Sequence, residues 1–114
     1  MSVNNSTICQ VRIQGIKDAM EVLSGKWKFH ILGTLTEVDQ LGFMELMREV
    51  KGIGSKMLSK ELQDLEINQL ISRTAVETKP LTIYYALTPQ GRKLVPIIDQ
   101  IANWGVDYRK AMLT

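Results

Sequence analysis

Residues 52–87, GIGSKMLSKELQDLEINQLISRTAVETKPLTIYYAL, restrict what this chain can fold into more than any other stretch. After a glycine-flanked turn, Leu58, Leu62 and Leu65 recur at helical spacing and form one apolar stripe. Lys56, Ser59, Lys60 and Gln63 recur at the same spacing, and at about 100° per residue they centre nearly opposite that stripe. Glu61, Asp64 and Glu66 are expected on the flanks or later turns, leaving the outward face basic and polar with no carboxylate in it. Ser55 is the expected N-cap. Two alternating strands follow, joined by the polar tip Glu77-Thr78-Lys79-Pro80. On the second strand Leu81, Ile83, Tyr85 and Leu87 point one way, and Thr82, Tyr84 and Ala86 the other. A basic helix face followed by a β-hairpin is what lays a helix in a DNA groove with a wing beside it. Taken alone, the pattern also describes an ordinary amphipathic helix with a solvated face.

The flanking segments extend the pattern. Ile16, Ala19, Met20 and Leu23 predict a short first helix closed by Ser24-Gly25. Trp27, Ile31, Leu32 and Leu35 predict a second, ending before Asp39-Gln40. Phe43, Leu46, Met47 and Val50 predict a third, ended by Gly52 and Gly54. Asn68-Gln69 turns the chain out of the fourth. Thr88-Pro89 is an N-cap followed by proline at the first helical position. The last helix carries Leu94, Ile97, Ile98, Ile101, Trp104, Tyr108 and Met112, with Pro96 expected to bend it. Four helices, a hairpin and a helix give a mainly α chain with a small β-hairpin wing (α+β). This is a winged helix-turn-helix with added N- and C-terminal dimerisation helices, in one domain over residues 1–114 with 1–8 as a loose arm.

Bulk properties permit this reading without demanding it. A chain of 114 residues supports one domain with a modest core that a partner subunit can complete. Its net charge of +2 means that any basic patch must come from arrangement. The first twenty residues lack a signal-peptide core, and no stretch is apolar enough to span a membrane. One cysteine, Cys9, rules out an internal disulfide framework and fits a reducing cytoplasm. With one histidine, His30, there is no metal quartet and no nucleophile–base pair, so neither an enzyme nor a cofactor is expected. His30 is expected at a surface or an interface.

Seven segments in order carry a resemblance. They are Cys9, Gly25-Lys26-Trp27, Gly42-Phe43-Met44-Glu45-Leu46, Gly52-Ile53-Gly54-Ser55-Lys56-Met57-Leu58-Ser59, Leu70-Ile71-Ser72-Arg73, Tyr85-Ala86-Leu87-Thr88-Pro89-Gln90-Gly91 and Trp104-Gly105. Together, over residues 9–105, they resemble the HxlR-type family of bacterial winged-helix transcription regulators, relatives of the MarR class. The sequence departs from the family pattern in three places. Gly42 stands where an arginine usually precedes the phenylalanine, Gln69 where glycine is common before the hairpin, and Leu81 and Tyr84 where a second proline and a glutamate often follow. The resemblance implies a homodimeric regulator of a pseudo-palindromic operator in double-stranded DNA. It also implies that a cysteine at the place of Cys9 can sense oxidants or electrophiles, through an intersubunit or a mixed disulfide.

On this reading Ser55, Lys56, Ser59, Lys60 and Gln63 face bases and phosphates, because glutamine pairs with adenine, lysine with guanine and serine with most base edges. Lys79 at the wing tip and Arg73 on the first wing strand are candidates for backbone or minor-groove contact. Lys26 and Lys28 could hold a phosphate at the second helix, or could be salt-bridged at the surface. Ile97, Ile98, Ile101, Trp104 and Tyr108 are expected at a dimer interface, since the last helix is more apolar than a small domain can cover. Cys9, near Arg12 and Lys17, is either a redox sensor favoured by positive charge or a small packing residue. Two other readings stay open. One is a ligand-responsive regulator with an effector near the last helix; the other is a winged-helix protein-interaction module without DNA binding.

Overall fold

The structure, a computed structural model, describes residues 8–113. Its elements run α1 (Gln10–Leu23), α2 (Lys28–Thr36), β1 (Leu41–Gly42), α3 (Phe43–Glu49), α4 (Ser55–Ile67), β2 (Ile71–Val76), β3 (Thr82–Leu87), α5 (Pro89–Arg92) and α6 (Val95–Leu113). The arm expected over 1–8 falls outside the described residues except for Ile8, which is exposed. The first helix is longer than its apolar spacing indicated. It starts at Gln10, and Cys9 is its N-cap, with Sγ accepting the Arg12 backbone N–H at 3.4 Å. Gly25, at φ 108°, turns the chain toward α2.

The apolar stripes meet as the spacing requires. Ile31, Leu32 and Leu35 of α2, Leu46 of α3 and Leu58, Leu62 and Leu65 of α4 are almost completely buried together. The short turn from α3 to α4 passes through Gly52 at φ 94°, a conformation that strains any residue with a Cβ. The Trp27 ring lies over this turn, 3.6 Å from where a Cβ on Gly52 would be. Gly54, not Ser55, is the N-cap of α4, which places the Ser55 side chain in the first turn on the exposed side.

The sheet has a strand the hairpin pattern did not reveal. Two-residue β1 pairs antiparallel with β3 (Leu41 opposite Tyr85), giving the order β1-β3-β2. In the hairpin, Ile71 lies opposite Leu87, Arg73 opposite Tyr85 and Val76 opposite Thr82. Alternation holds at the base, where Tyr85 and Leu87 are buried, and fails at the tip. Leu81 precedes β3 and is 58% exposed, in an open cleft whose other wall is the start of α3 at Phe43 and Met44.

The last helical segment is broken in two. Thr88 Oγ1 accepts the Gly91 N–H at 3.0 Å and donates to the Gln69 carbonyl at 2.6 Å, fastening α5 to the entrance of β2. A continuous helix would need a bond from residue 96 to the Arg92 carbonyl. Pro96 has no N–H to give and its ring would collide there. The helix therefore stops at Arg92 and restarts at Val95, so the interruption expected from Pro96 takes the form of a break, with the proline in the first turn of α6.

Two backbone positions predict opposite outcomes. A Cβ on Gly91 would run into the Leu70 carbonyl oxygen, a backbone atom held by the Thr88 N–H. Gly91→Ala should lower stability by about 1–3 kcal/mol or prevent folding. Gln69 sits at φ 62°, in the left-handed region. Gln69→Gly should raise stability by up to about 1 kcal/mol, the left-handed penalty net of glycine's entropy. Urea titrations of both variants check the pair.

Candidate nucleic-acid interface

Four residues recurring along α4 decide what that helix can offer. Leu58, Glu61, Leu62 and Leu65 occupy i, i+3, i+4 and i+7, and all four are buried. Glu61 is thus a core position rather than a flank, only 6% exposed. On α2, Lys28, Ile31, Leu32 and Leu35 repeat the same spacing and are likewise buried. The two charged residues face each other, with Lys28 Nζ 2.8 Å from Glu61 Oε1. Lys28 also lies 3.5 Å from Asp64 Oδ2. Lys28 therefore leaves the set of phosphate contacts. The ion pair foreseen for it exists, but it is buried between helices rather than lying at the surface.

The remaining α4 candidates are brought together. Ser55, Lys56, Ser59, Lys60 and Gln63 are all exposed on one side of the helix, opposite the leucine stripe. Lys56 makes no ion pair among the described residues. Lys60 is engaged, at 3.3 Å from Asp64 Oδ2 and 3.8 Å from Glu61 Oε2. Asp64 is half-buried beside it, so the outward face is not free of carboxylates. Met57 was missed. It is 42% exposed in the first turn, in a groove also lined by Gly54, Ser55, Lys56 and Lys60. The spacing could have found it, since residue 57 lies off the stripe of 58, 62 and 65.

The wing carries two further exposed basic residues. Arg73 is exposed on the sheet face that carries Ile71 and Tyr85 at its base. At the tip, Thr78 donates its backbone N–H to the Val76 carbonyl (2.8 Å) and its hydroxyl to the Pro80 carbonyl (2.6 Å). Thr82 Oγ1 closes the turn at 3.2 Å from Thr78 Oγ1, and Lys79 stands exposed between them. Lys26 is exposed with its ammonium 4.9 Å from the Trp27 ring centroid. His30, also exposed, stacks on that tryptophan with centroids 6.0 Å apart.

Away from this surface, Ile98 is not at an outer face. It is buried in the chain's own core, against Gly33 of α2. Ile97, Ile101, Trp104 and Tyr108 remain exposed, and Trp104 stacks on Tyr108 at 4.8 Å. Cys9 is exposed. Among the described residues no group of His, Cys, Asp and Glu could hold a metal ion, and no helix is long and apolar enough to cross a membrane.

A helix pair joined by a tight turn, with its second helix exposed along a basic face and flanked by a three-stranded wing, defines a winged helix-turn-helix DNA-binding module. The sequence pattern of the HxlR-like helix-turn-helix family matches residues 22–112, and the chain belongs to that family. It is 34% identical over 101 residues to the uncharacterized HTH-type transcriptional regulator YdzF of Bacillus subtilis, covering 89% of this chain and 93% of YdzF. The fold superposes on the redox regulator HypR in its reduced form with a TM-score of 0.80 and 28% identity, over 86% of this chain and 96% of that one. The crystal structure of the HTH-type transcriptional regulator ytcD gives 0.77 and 32%, over 90% and 99%. This is a family of DNA-binding transcriptional regulators, not enzymes.

The ion pairs make part of the fold's stability depend on pH. Burial alone would lower the Lys28 pKa, but the hydrogen bond and charge of Glu61, then Asp64, outweigh it and raise it above the ordinary 10.5. Burial likewise pushes the Asp64 carboxyl up, and the hydrogen bond and charge of Lys60, then Lys28, bring it below the ordinary 3.8. Lys28 thus stabilises the fold below pH 10.5 and loses that effect as pH rises through its folded value. Asp64 stabilises above pH 3.8 and loses the effect as pH falls through its own. Lys28→Met, which strands Glu61, should cost on the order of 3 kcal/mol, and Lys28→Met/Glu61→Leu should recover most of it. Melting temperatures of the three proteins between neutral and strongly alkaline pH check this, the alkaline fall being smaller in both variants than in wild type.

Proposed function

We propose that this chain is a homodimeric regulator that lays α4 of each subunit into the major groove of a pseudo-palindromic site in double-stranded DNA. The observation that carries the reading is the outward face of α4, where Lys56, Ser59, Lys60 and Gln63 stand together above a buried leucine stripe. Ser55, Gln63 and the lysines supply base-edge and phosphate partners from the first turns, while Arg73 and Lys79 extend the basic surface along the wing. Lys26 is a peripheral phosphate contact. Two such helices about a twofold axis fit half-sites about one helical turn (~34–36 Å) apart. The work is that of a cytoplasmic protein without a cofactor.

The shape of the chain supports the dimer. Of α1 only Leu23 is buried and of α6 only Ile98, so both helices stand out from the core with Ile13, Ile16, Met20, Ile101 and Trp104 exposed. The radius of gyration, 17.4 Å, exceeds the ~13 Å of a compact chain of this length. A second copy is the commonest cover for such faces. Lys56→Ala tests the DNA reading. Binding to duplex DNA should weaken with the fold intact, by about 1–3 kcal/mol at one base pair if Lys56 reads guanine. If it meets only phosphate, the loss should be uniform, with the salt slope reduced by about one unit. Unchanged affinity would remove α4 from the interface, and DNA binding absent at all salt concentrations would favour a protein-interaction module.

Cys9 is proposed as an oxidant-responsive thiol. It is exposed at the start of α1, and the structural relative HypR is a redox regulator solved in reduced and oxidized forms. Oxidation would join it to the partner's equivalent thiol or to a small thiol, two thiols giving up two electrons and two protons to the oxidant. Diamide should change the DNA affinity of the wild-type dimer by about 1–3 kcal/mol, reversibly with reductant, and leave Cys9→Ser unaffected. Equal responses would make Cys9 a capping residue and turn attention to an effector near α6.

A further inference from the structure

Lys60 differs from Lys56 in being held. Its ammonium lies 3.3 Å from Asp64 Oδ2, one turn along the same exposed side of α4. Asp64 Oδ2 is shared, since Lys28 Nζ reaches it from α2 at 3.5 Å. The two lysines and two carboxylates of this network sum to zero charge, so Lys56 is the uncompensated cation of the helix's first turns. Glu61 is fixed by burial against Lys28, with its second oxygen 3.8 Å from Lys60. Asp64 and Lys60 are different, being 39% and 65% exposed at their side chains.

We infer that Asp64 sets the affinity of the recognition helix by competing with a DNA phosphate for the Lys60 ammonium. The inference rests on the DNA-binding reading of α4. In the free protein Lys60 is paired along the helix, where an exposed i, i+4 contact is weak and readily exchanged. When a phosphate arrives, the flexible lysine swings outward and trades one anion for another. Asp64 is not stranded by the exchange, because Lys28 stays 3.5 Å away and is itself anchored by Glu61. The buried pair makes the outer pair expendable. Contact at Lys60 therefore adds less to binding than contact at Lys56, which surrenders no partner, and Asp64 holds affinity below what the helix could reach.

The test uses the full chain and a duplex that the wild-type protein has selected from a random pool. Dissociation constants are measured for wild type, Asp64→Asn, Lys60→Gln and the double variant, with thermal melts to verify folding. Asparagine keeps an oxygen acceptor for Lys28 and removes only the charge. Asp64→Asn should bind roughly two- to five-fold tighter, the range an exposed ion pair is worth, and the gain should shrink as salt is added. In the Lys60→Gln background the same substitution should change nothing. An equal gain in both backgrounds would mean that Asp64 merely repels phosphate at a distance, and would overturn the inference. So would an Asp64→Asn protein that binds no tighter than wild type. If its melt shows loss of fold, Asp64→Ser is measured against the same criteria. Binding lost in Lys56→Ala but unchanged in Lys60→Gln and Asp64→Asn would leave the DNA reading standing and sink this one alone. Wild-type protein that selects no duplex sinks both.

Discussion

The contact between Lys28 and Glu61 is the one on which the orientation of α4 depends. Each residue occupies the first or second place of its helix's apolar repeat, where a leucine would ordinarily sit. A pair of leucines would bind the two helices at least as strongly, since burying two charges costs much of what their attraction returns. Leucines, however, tolerate sliding and rotation. An ammonium and a carboxylate buried 2.8 Å apart resist rotation, because it would leave each charge without the partner that offsets its burial. With the leucine stripe of α4, the pair therefore sets which side of the helix faces the core, and by elimination which side faces outward. Everything proposed for Lys56, Lys60 and Gln63 presupposes that rotation.

Much of the architecture was legible because its causes are local. Leucines at helical spacing, Gly25 and Gly52 at the turns and Thr88-Pro89 at a helix start each carry their own physical reason, and the structure places them accordingly. What escaped the reading was non-local. A two-residue strand such as β1 has no periodicity and exists because β3 offers it a free edge. Pro96 was read as a bend, but where a helix restarts depends on the Arg92 carbonyl four residues upstream. Ile98 looks identical to Ile97 and Ile101 in sequence, yet Gly33 of α2 opens a seat for it alone.

The candidate interface was legible as a set and less so residue by residue. The exposed side of α4 followed from geometry about one helix axis. The state of each charge on it did not, because that is decided by partners on other turns and other elements. Lys28 and Lys26 are two residues apart and carry the same side chain; one is buried between α2 and α4, and the other is exposed over an indole. The clue to the difference was present, since a lysine in the first place of a buried repeat requires an acid opposite. Two such misplaced charges on neighbouring helices amount to a predicted contact.

The length of α6 has a mechanical consequence. Its 19 residues make a rod of about 28 Å that is rooted in the core at Ile98 near its start and is free of the core beyond it. In the proposed dimer the far part of that rod belongs to the shared body and the near part to one DNA-reading head. The rod beyond Ile98 is about 22 Å long, so a tilt of roughly 10° at the root shifts the head and the far end of the rod by about 4 Å relative to each other, more than the ~3.4 Å between successive base pairs. The head need not deform to lose its register on DNA. It has only to pivot, and the last seat of the rod in the core is where Ile98 meets Gly33.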